Sequence, residues 1–402
     1  MPGLNDLAED KPAMAGFGPL AGYRILEFGT NLTAPMATML MGDQGADVIK
    51  VEPIAGEQLR SSGDQRSGVA KMGAMFLNAN RNKRSIALDL KRADHLDAAL
   101  RIAGQCDVVV QNFRPGVADR IGIGYDAIAP MRSDIIYVSI DGLGDSGPEA
   151  HRRVYDIVVQ GIAGIAAVQA DSVTGEPTTI RNAIVDKATA LVVWQAVTAA
   201  LLVRERTGMG QHIRVSMLNV ALSFIWPEVM SSSTLIGEDV VVGGSMAGVR
   251  YCFATADGHI LVGFVTDDEF AGVCRVLGCP DLPDDLRFDT VAKRFANAAA
   301  LNALIGACLL QQPTGYWLPR LREADAVYAP INRPDDLAAD PQIMAIGALA
   351  EHDHPVAGRY RQPVHPIRFS GTPTRLHRHA PMLDADRDAI LAEFGVRLAN
   401  AP

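Results

Sequence analysis

Between residues 23 and 139 the chain alternates short, continuous apolar runs with longer stretches whose apolar residues recur every three to four positions. Segments 24–28 (RILEF), 48–51 (VIKV), 85–88 (SIAL), 108–111 (VVVQ) and 135–140 (IIYVSI) read as buried strands. Segments 36–44 and 93–105 carry the helical period. Strand–helix alternation of this kind predicts right-handed βαβ units and a mainly parallel, doubly wound sheet. The loop after the first strand, GTNLTAPM, offers Thr33 as a helix N-cap and Pro35 in the first turn. It is not GxGxxG, so no dinucleotide fingerprint stands there.

Further along, 190–203 (ALVVWQAVTAALLV) is the longest apolar stretch; it is too short for a membrane span and reads as a buried helix. Composition shifts to Ser, Gly and small apolar residues around 226–248, which reads as a linker or a mobile loop. A β-hairpin follows over 249–265, turning at 256–258, and then helical stretches run to Arg322. The tail predicts a helix at 340–350, a Pro-rich extended region to Pro381, and a last amphipathic helix at 384–394. The expected fold is α/β: a large Rossmann-like domain with a mainly parallel sheet, and a smaller α+β domain. Its parts are expected at 1–227, 228–335 (the small domain) and 336–402, the last returning to the large domain.

The chain has 402 residues, 48% of them apolar and 21% charged, with a net charge of −9. That length suits two domains, and the acidic balance argues against nucleic acid as a partner. Five scattered cysteines, with no CxxC, suggest a reducing, cytoplasmic setting. The acidic, Pro/Gly-rich start, 1–16, lacks the features of a signal peptide and reads as a loose arm. No metal is expected. The GDSGP at 144–148 reads as a loop, and the five late histidines (His352, His354, His365, His377, His379) lie in a proline-rich, extended setting.

The basic residues say more. Arg81, Lys83 and Arg84 precede one predicted strand, Arg114 and Arg120 follow the next, and Arg152 and Arg153 follow a third. In an acidic chain, basic loops near the ends of consecutive strands suggest an anion site, and carboxyl ends are where an open sheet places one. Asp186 directly precedes the apolar helix, where local sequence favours an N-cap; a helix N-terminus also keeps a carboxylate ionised. Asp156 is a second carboxylate on a similar boundary.

Taken in order, GYRILEFGTNLTAPMATMLMGDQGADVIKVEP, NRNKRSIALDL, DVVVQNFRPGVADRIGIGYD, YVSIDGLGDSGP, VYDIVVQGIAG, VDKATAL and RERTGMGQHIRVSML resemble the family III CoA-transferases. That group includes formyl-CoA transferase and alpha-methylacyl-CoA racemase, and the resemblance runs from about Gly22 to Ser370. It implies an interlocked homodimer, acyl-CoA and carboxylic acid substrates, no tightly bound cofactor and no membrane. It also implies Asp186 as nucleophile, with CoA contacts at Asn31, Leu32, Thr33, Asn80, Arg81, Asn82, Lys83, Asn112, Phe113, Arg114, Arg120 and Arg153. Pro53 departs from the pattern, since some members carry arginine there. Only Gly243 and Gly244 stand where formyl-CoA transferase has a long glycine lid, which argues against formyl or oxalate specificity. The lid is expected in 228–248. The racemase branch places a histidine before the second aspartate; here it is Tyr155, whose ordinary pKa of about 10 suits proton abstraction poorly. CoA transfer is therefore the expected chemistry, with racemisation or non-catalytic CoA binding as the alternatives.

Overall fold

The computed structural model describes residues 17–171, 174–241 and 251–398. Contacts divide the chain into two compact units, Met1–Phe224 with Ala345–Pro402, and Ile225–Met344.

The larger unit is built on six parallel strands: β1 (Arg24–Glu27), β2 (Asp47–Glu52), β3 (Lys83–Ala87), β4 (Val108–Gln111), β5 (Ile136–Asp141) and β6 (Gln211–Ser216). Their order in the sheet is β3-β2-β1-β4-β5-β6, so the connection reverses between β1 and β4. The first five strands lie where the apolar runs placed them. β6 was not among them, because Gln211-His212-Ile213-Arg214 alternates polar with apolar rather than forming an apolar run.

Each face of the sheet carries its own core. Leu26, Ile49, Ile86 and Val109 pack with Ile102 of the Ala93–Ala103 helix and with Ile390 and Phe394 of the returning C-terminal segment. Ile25, Val48, Val108 and Val138 pack on the opposite face against Ala37 and Met41 of the Thr33–Asp43 helix and against Val193 and Val197 of the Ile184–Thr207 helix. The return is pinned by polar contacts: Asp384 Oδ1 accepts from the Ala87 amide at 2.7 Å and Asp386 Oδ2 from the Ser85 amide at 2.9 Å.

Some expectations need correction. The Ile184–Thr207 helix has 24 residues, long and apolar enough to cross a membrane by length and composition. One face is nevertheless seated in the core, while Leu191, Val192, Leu202 and Val203 on the other are exposed. The helix expected over 340–350 is confined to Pro341–Ala345; β10 (Leu349–His354) follows and pairs antiparallel with β11 (Gly358–Pro363), inside the supposed extended region. Residues 226–241 hold the end of the Met217–Val229 helix and a Ser231–Thr234 turn of helix. Gly243 and Gly244 lie outside the described residues.

The smaller unit is α+β. β7 (Cys252–Ala254), β8 (His259–Gly263) and β9 (Val327–Pro330) form an antiparallel sheet in that order. Phe253, Ile260 and Val262 bury one face against Phe270, Ile305 and Leu321 of three helices.

Candidate functional site

In a doubly wound sheet, connections leave to opposite sides where the strand order reverses, opening a crevice at the carboxyl ends there. The β1 and β4 loops line that crevice and are clasped together. Thr30 N donates to Asn112 Oδ1 at 3.0 Å, and Asn112 Nδ2 returns a bond to Thr30 O at 2.8 Å. Gly29 makes the tight exit from β1, for a Cβ there would sit 2.6 Å from the Ala34 side chain and 2.9 Å from Glu27 Oε1. Asn31 adopts a left-handed backbone, φ 59°. Buried Glu57 supports that turn, its Oε2 accepting from Asn31 N at 3.2 Å.

A cavity of about 110 Å³ lies over this clasp, lined by Asn31, Thr33, Asn112, Phe113, Arg114, Asp141, Arg152, Tyr155 and Asp186. Two larger spaces adjoin it along the rim. One, of about 380 Å³, shares Thr30 and Phe113 and is mainly apolar, with Val51, Pro53, Ile54 and Leu90 in its wall. The other, of about 260 Å³, shares Phe113, Arg114 and Asp141 and reaches Ser139, His151 and His212.

Asp186 sits in the first turn of the Ile184–Thr207 helix, and the N-cap position is Ala183, which has no capping side chain. The cap comes from another element. Asp156, first residue of the Asp156–Ile162 helix, accepts from the Val185 amide at 2.7 Å and the Asp186 amide at 2.9 Å through Oδ1. Gln160 anchors the pair, donating to Asp156 Oδ2 and accepting from Ile180 N at 2.9 Å. With the helix end capped by Asp156, the Asp186 carboxyl is left to face the cavity. Its Oδ1 accepts a hydrogen bond from the Thr33 hydroxyl. Among the described residues no hydrogen bond reaches Oδ2. Burial pushes its pKa up; the Thr33 bond opposes this, the Asp156 charge adds to it, and Lys187 opposes it.

Asn31, Thr33, Asn112, Phe113, Arg114 and Asp186 are thus brought together. Thr33 is not the N-cap expected of it: Leu32 occupies that position, without a side-chain bond, and lies outside the cavity wall. Arg120 and Arg153 are exposed and line none of these cavities, whereas Arg152 lines the central one.

Asn80, Arg81, Asn82 and Lys83 are buried elsewhere in the same unit. Lys83 Nζ donates to Glu27 Oε2 at 2.7 Å and to Pro35 O and Asn80 Oδ1 at 2.8 Å each. Glu27 also receives Lys50 at 2.8 Å and Thr38 at 2.6 Å. Burial alone would raise the Glu27 carboxyl, but the Lys50 and Lys83 ammoniums pull it to about 2. Burial, with the Lys50 charge, holds Lys83 down to about 8 against the pull of Glu27. Arg81 grips Asp43 with Nε at 2.9 Å and Nη2 at 2.7 Å, and Asn82 Nδ2 joins it at 2.7 Å. The reason is register: Lys83 begins β3 level with Val48 of β2, at the amino end of the sheet. The first basic loop therefore starts at the end opposite the other two, and Lys83 reaches the rim side only from beneath, through Glu27 at the end of β1 and the Pro35 carbonyl.

Sequence reasoning passed over Glu57, Gln160 and Asp141, and left Asp156 without a role. Nothing local marks Glu57; the boundary position of Asp156 was the one usable signal. Among the described residues no three His, Cys, Asp or Glu side chains cluster as metal ligands. His354 is committed to structure, its Nδ1 accepting from the Val356 and Ala357 amides at 3.0 and 2.9 Å.

The sequence model described as CoA-transferase family III matches residues 20–387. A succinyl-CoA:glutarate CoA-transferase of Mus musculus is 34% identical over 93% of this chain and 86% of its own. An acetyl-CoA:oxalate CoA-transferase of Acetobacter aceti is 32% identical over 94% of this chain and 96% of its own. A crystal structure of a CaiB/BaiF family protein from Brucella suis superposes with a TM-score of 0.81 at 31% identity, covering 94% of this chain and all of that one.

Proposed function

The chain belongs to CoA-transferase family III, and from that premise we propose that it moves CoA between carboxylic acids through covalent intermediates on Asp186. The carrying observation is the geometry of that carboxylate: Oδ1 held by Thr33, and Oδ2 without a described partner in a cavity at the β1/β4 switch.

Exchange of one thioester for another is nearly thermoneutral, so a carboxylate of similar energy serves as carrier. Asp186 Oδ2 attacks the donor thioester carbonyl; the C–S bond breaks and CoA leaves as thiolate, giving a mixed anhydride. The thiolate attacks Asp186 Cγ, the Cγ–Oδ2 bond breaks, and the donor acid departs, leaving an aspartyl-CoA thioester. An acceptor carboxylate then attacks Cγ and expels the thiolate, which takes the new acyl group and restores the carboxylate. The raised pKa fits the nucleophilic half of this role, since a more basic carboxylate is the stronger nucleophile.

Asn31, Leu32, Thr33, Asn112, Phe113 and Arg114 would hold CoA near the reacting carbonyl, with Arg120 and Arg153 meeting phosphates from the solvent side. The apolar space beside Pro53 suits a base. Asn80, Arg81, Asn82 and Lys83 would act at one remove, by fixing the β1 and β3 framework. Arg114, exposed in the cavity wall, is a cation available to a second carboxylate, which favours short dicarboxylic acids as acyl groups; Arg152 beside it is paired with Glu149 at 3.0 Å. Asp156 is occupied by helix amides and Tyr155 is 63% exposed, an arrangement that supports transfer over racemisation. The exposed apolar face of the Ile184–Thr207 helix supports a homodimer. We place the enzyme in the cytoplasm, away from membranes and nucleic acid, with no tightly bound cofactor.

The test is mass spectrometry of the protein mixed with succinyl-, glutaryl- and acetyl-CoA, then quenched with hydroxylamine. A hydroxamate at Asp186 is expected; its absence with every donor would sink the reading.

A further inference from the structure

We infer that the Thr33 hydroxyl stabilises the oxyanion formed on Asp186 itself, at the step in which CoA thiolate attacks the aspartyl carbonyl. The inference rests on Asp186 being the nucleophile and adds a residue whose part is confined to the steps at Cγ, attack by the thiolate and later by the acceptor carboxylate.

Thr33 is the first residue of the Thr33–Asp43 helix and is only 3% exposed. Its hydroxyl donates to Asp186 Oδ1, the side-chain bond that carboxylate receives among the described residues. Three contacts fix the turn carrying it: Thr30 to Asn112 at 3.0 Å, Asn31 to Glu57 at 3.2 Å, and the Pro35 carbonyl to Lys83 at 2.8 Å. A donor fixed before reaction incurs no reorganisation when charge develops on its acceptor.

Oδ1 remains bonded to Cγ throughout the cycle. It is half a carboxylate at rest, the aspartyl carbonyl oxygen of the anhydride, and the carbonyl oxygen of the thioester. Between the last two, sulfur adds to Cγ and the C=O electron pair moves onto Oδ1. The pair returns as the Cγ–Oδ2 bond breaks and the donor acid leaves with Oδ2. A full negative charge therefore appears on the atom that Thr33 already touches. The earlier attack by Oδ2 on the donor thioester puts its oxyanion on the donor carbonyl oxygen, not on Oδ1, the atom that holds the Thr33 hydroxyl. The two half-steps should therefore respond differently to loss of the hydroxyl.

The same bond favours the ionised resting carboxylate, against burial and the Asp156 charge and alongside Lys187. Asp141, Arg114 and Arg152 also line the cavity. Removing the hydroxyl should move the acid limb of kcat/KM to higher pH.

The experiment compares wild type with Thr33→Val, which keeps the side-chain shape, Thr33→Ala and Thr33→Ser. The donors are succinyl-, glutaryl- and acetyl-CoA, continued with whichever loads Asp186. One readout is formation of the aspartyl-CoA adduct in a single turnover. The other is exchange of labelled free CoA into acyl-CoA without acceptor, which needs only formation and reversal of the anhydride. Thr33→Val and Thr33→Ala should slow adduct formation about 100- to 1000-fold and exchange by less than about 5-fold, with Thr33→Ser close to wild type. Equal slowing of both readouts, or of neither, would overturn the role of Thr33 while Asp186 still loads. Failure of wild type to load Asp186 with any donor would instead remove the premise, and the inference with it.

Discussion

Lys83 and Asn112 come from the same kind of motif, a polar group beside a buried strand, yet the fold treats them oppositely. Asn112 follows β4 at the carboxyl rim, clasps the β1 loop and lines the cavity with Asp186. Lys83 opens β3 at the other end and is enclosed with Glu27, Asn80 and the Pro35 carbonyl. The rim holds side chains out for a ligand; the buried cluster fixes the framework that aims them. A motif match alone does not separate these roles. The register of a parallel sheet does.

The largest expected effect belongs to the rim. Asp186→Ala should lower kcat about 10⁴-fold or more, with the dissociation constant for CoA nearly unchanged by calorimetry. Loss of CoA binding with activity would show that the residue supports the site rather than reacting in it. The buried cluster should respond in stability instead. Lys83→Met leaves Glu27 with one ammonium fewer in a dry environment, a loss of about 3–5 kcal/mol by urea unfolding. Weakened CoA affinity at unchanged stability would place Lys83 on the ligand and collapse the distinction.

Acid should separate the regions next. Glu27 has a folded pKa of about 2 against an ordinary 4.5, so its contribution is complete above 4.5 and lost as pH falls toward 2. That is about 3 kcal/mol, read from unfolding midpoints across this window. Asp186 is shifted the other way, so activity should fall at a higher pH than stability does. Coincident loss of the two would mean that the fold, not the nucleophile, sets the acid limb. The smallest effect expected is at Arg114, exposed on the rim: Arg114→Ala should weaken acyl-CoA binding about 10-fold in KM, with kcat little altered. A larger fall in kcat than rise in KM would give Arg114 a part in the chemistry.

Much of the framework was legible because buried parallel strands are continuous apolar runs, and β1 to β5 are such runs. β6 was not, because His212 and Arg214 interrupt it. The tail hairpin of β10 and β11 carries Glu351, Arg359 and Arg361, which pair across the strands and leave little apolar signal in sequence. Asp186 was visible only as a carboxylate at a helix start, and the resemblance around it singled it out. What remained hidden depends on contacts between distant segments: Asp156 capping a helix 30 residues away, Glu57 holding the Asn31 turn, and the Thr33 hydroxyl on the carboxylate. No local pattern encodes those pairings.

The most direct test of Asp186 as the carrier follows the oxygen atoms. In the proposed cycle the donor acid departs with Oδ2, and an oxygen of the acceptor replaces it on Asp186. Turnover with glutarate or oxalate labelled with ¹⁸O in its carboxylates, followed by digestion, should make the Asp186 peptide heavier by about 2 Da per oxygen exchanged. Formation of the new acyl-CoA with no label in that peptide would contradict the account.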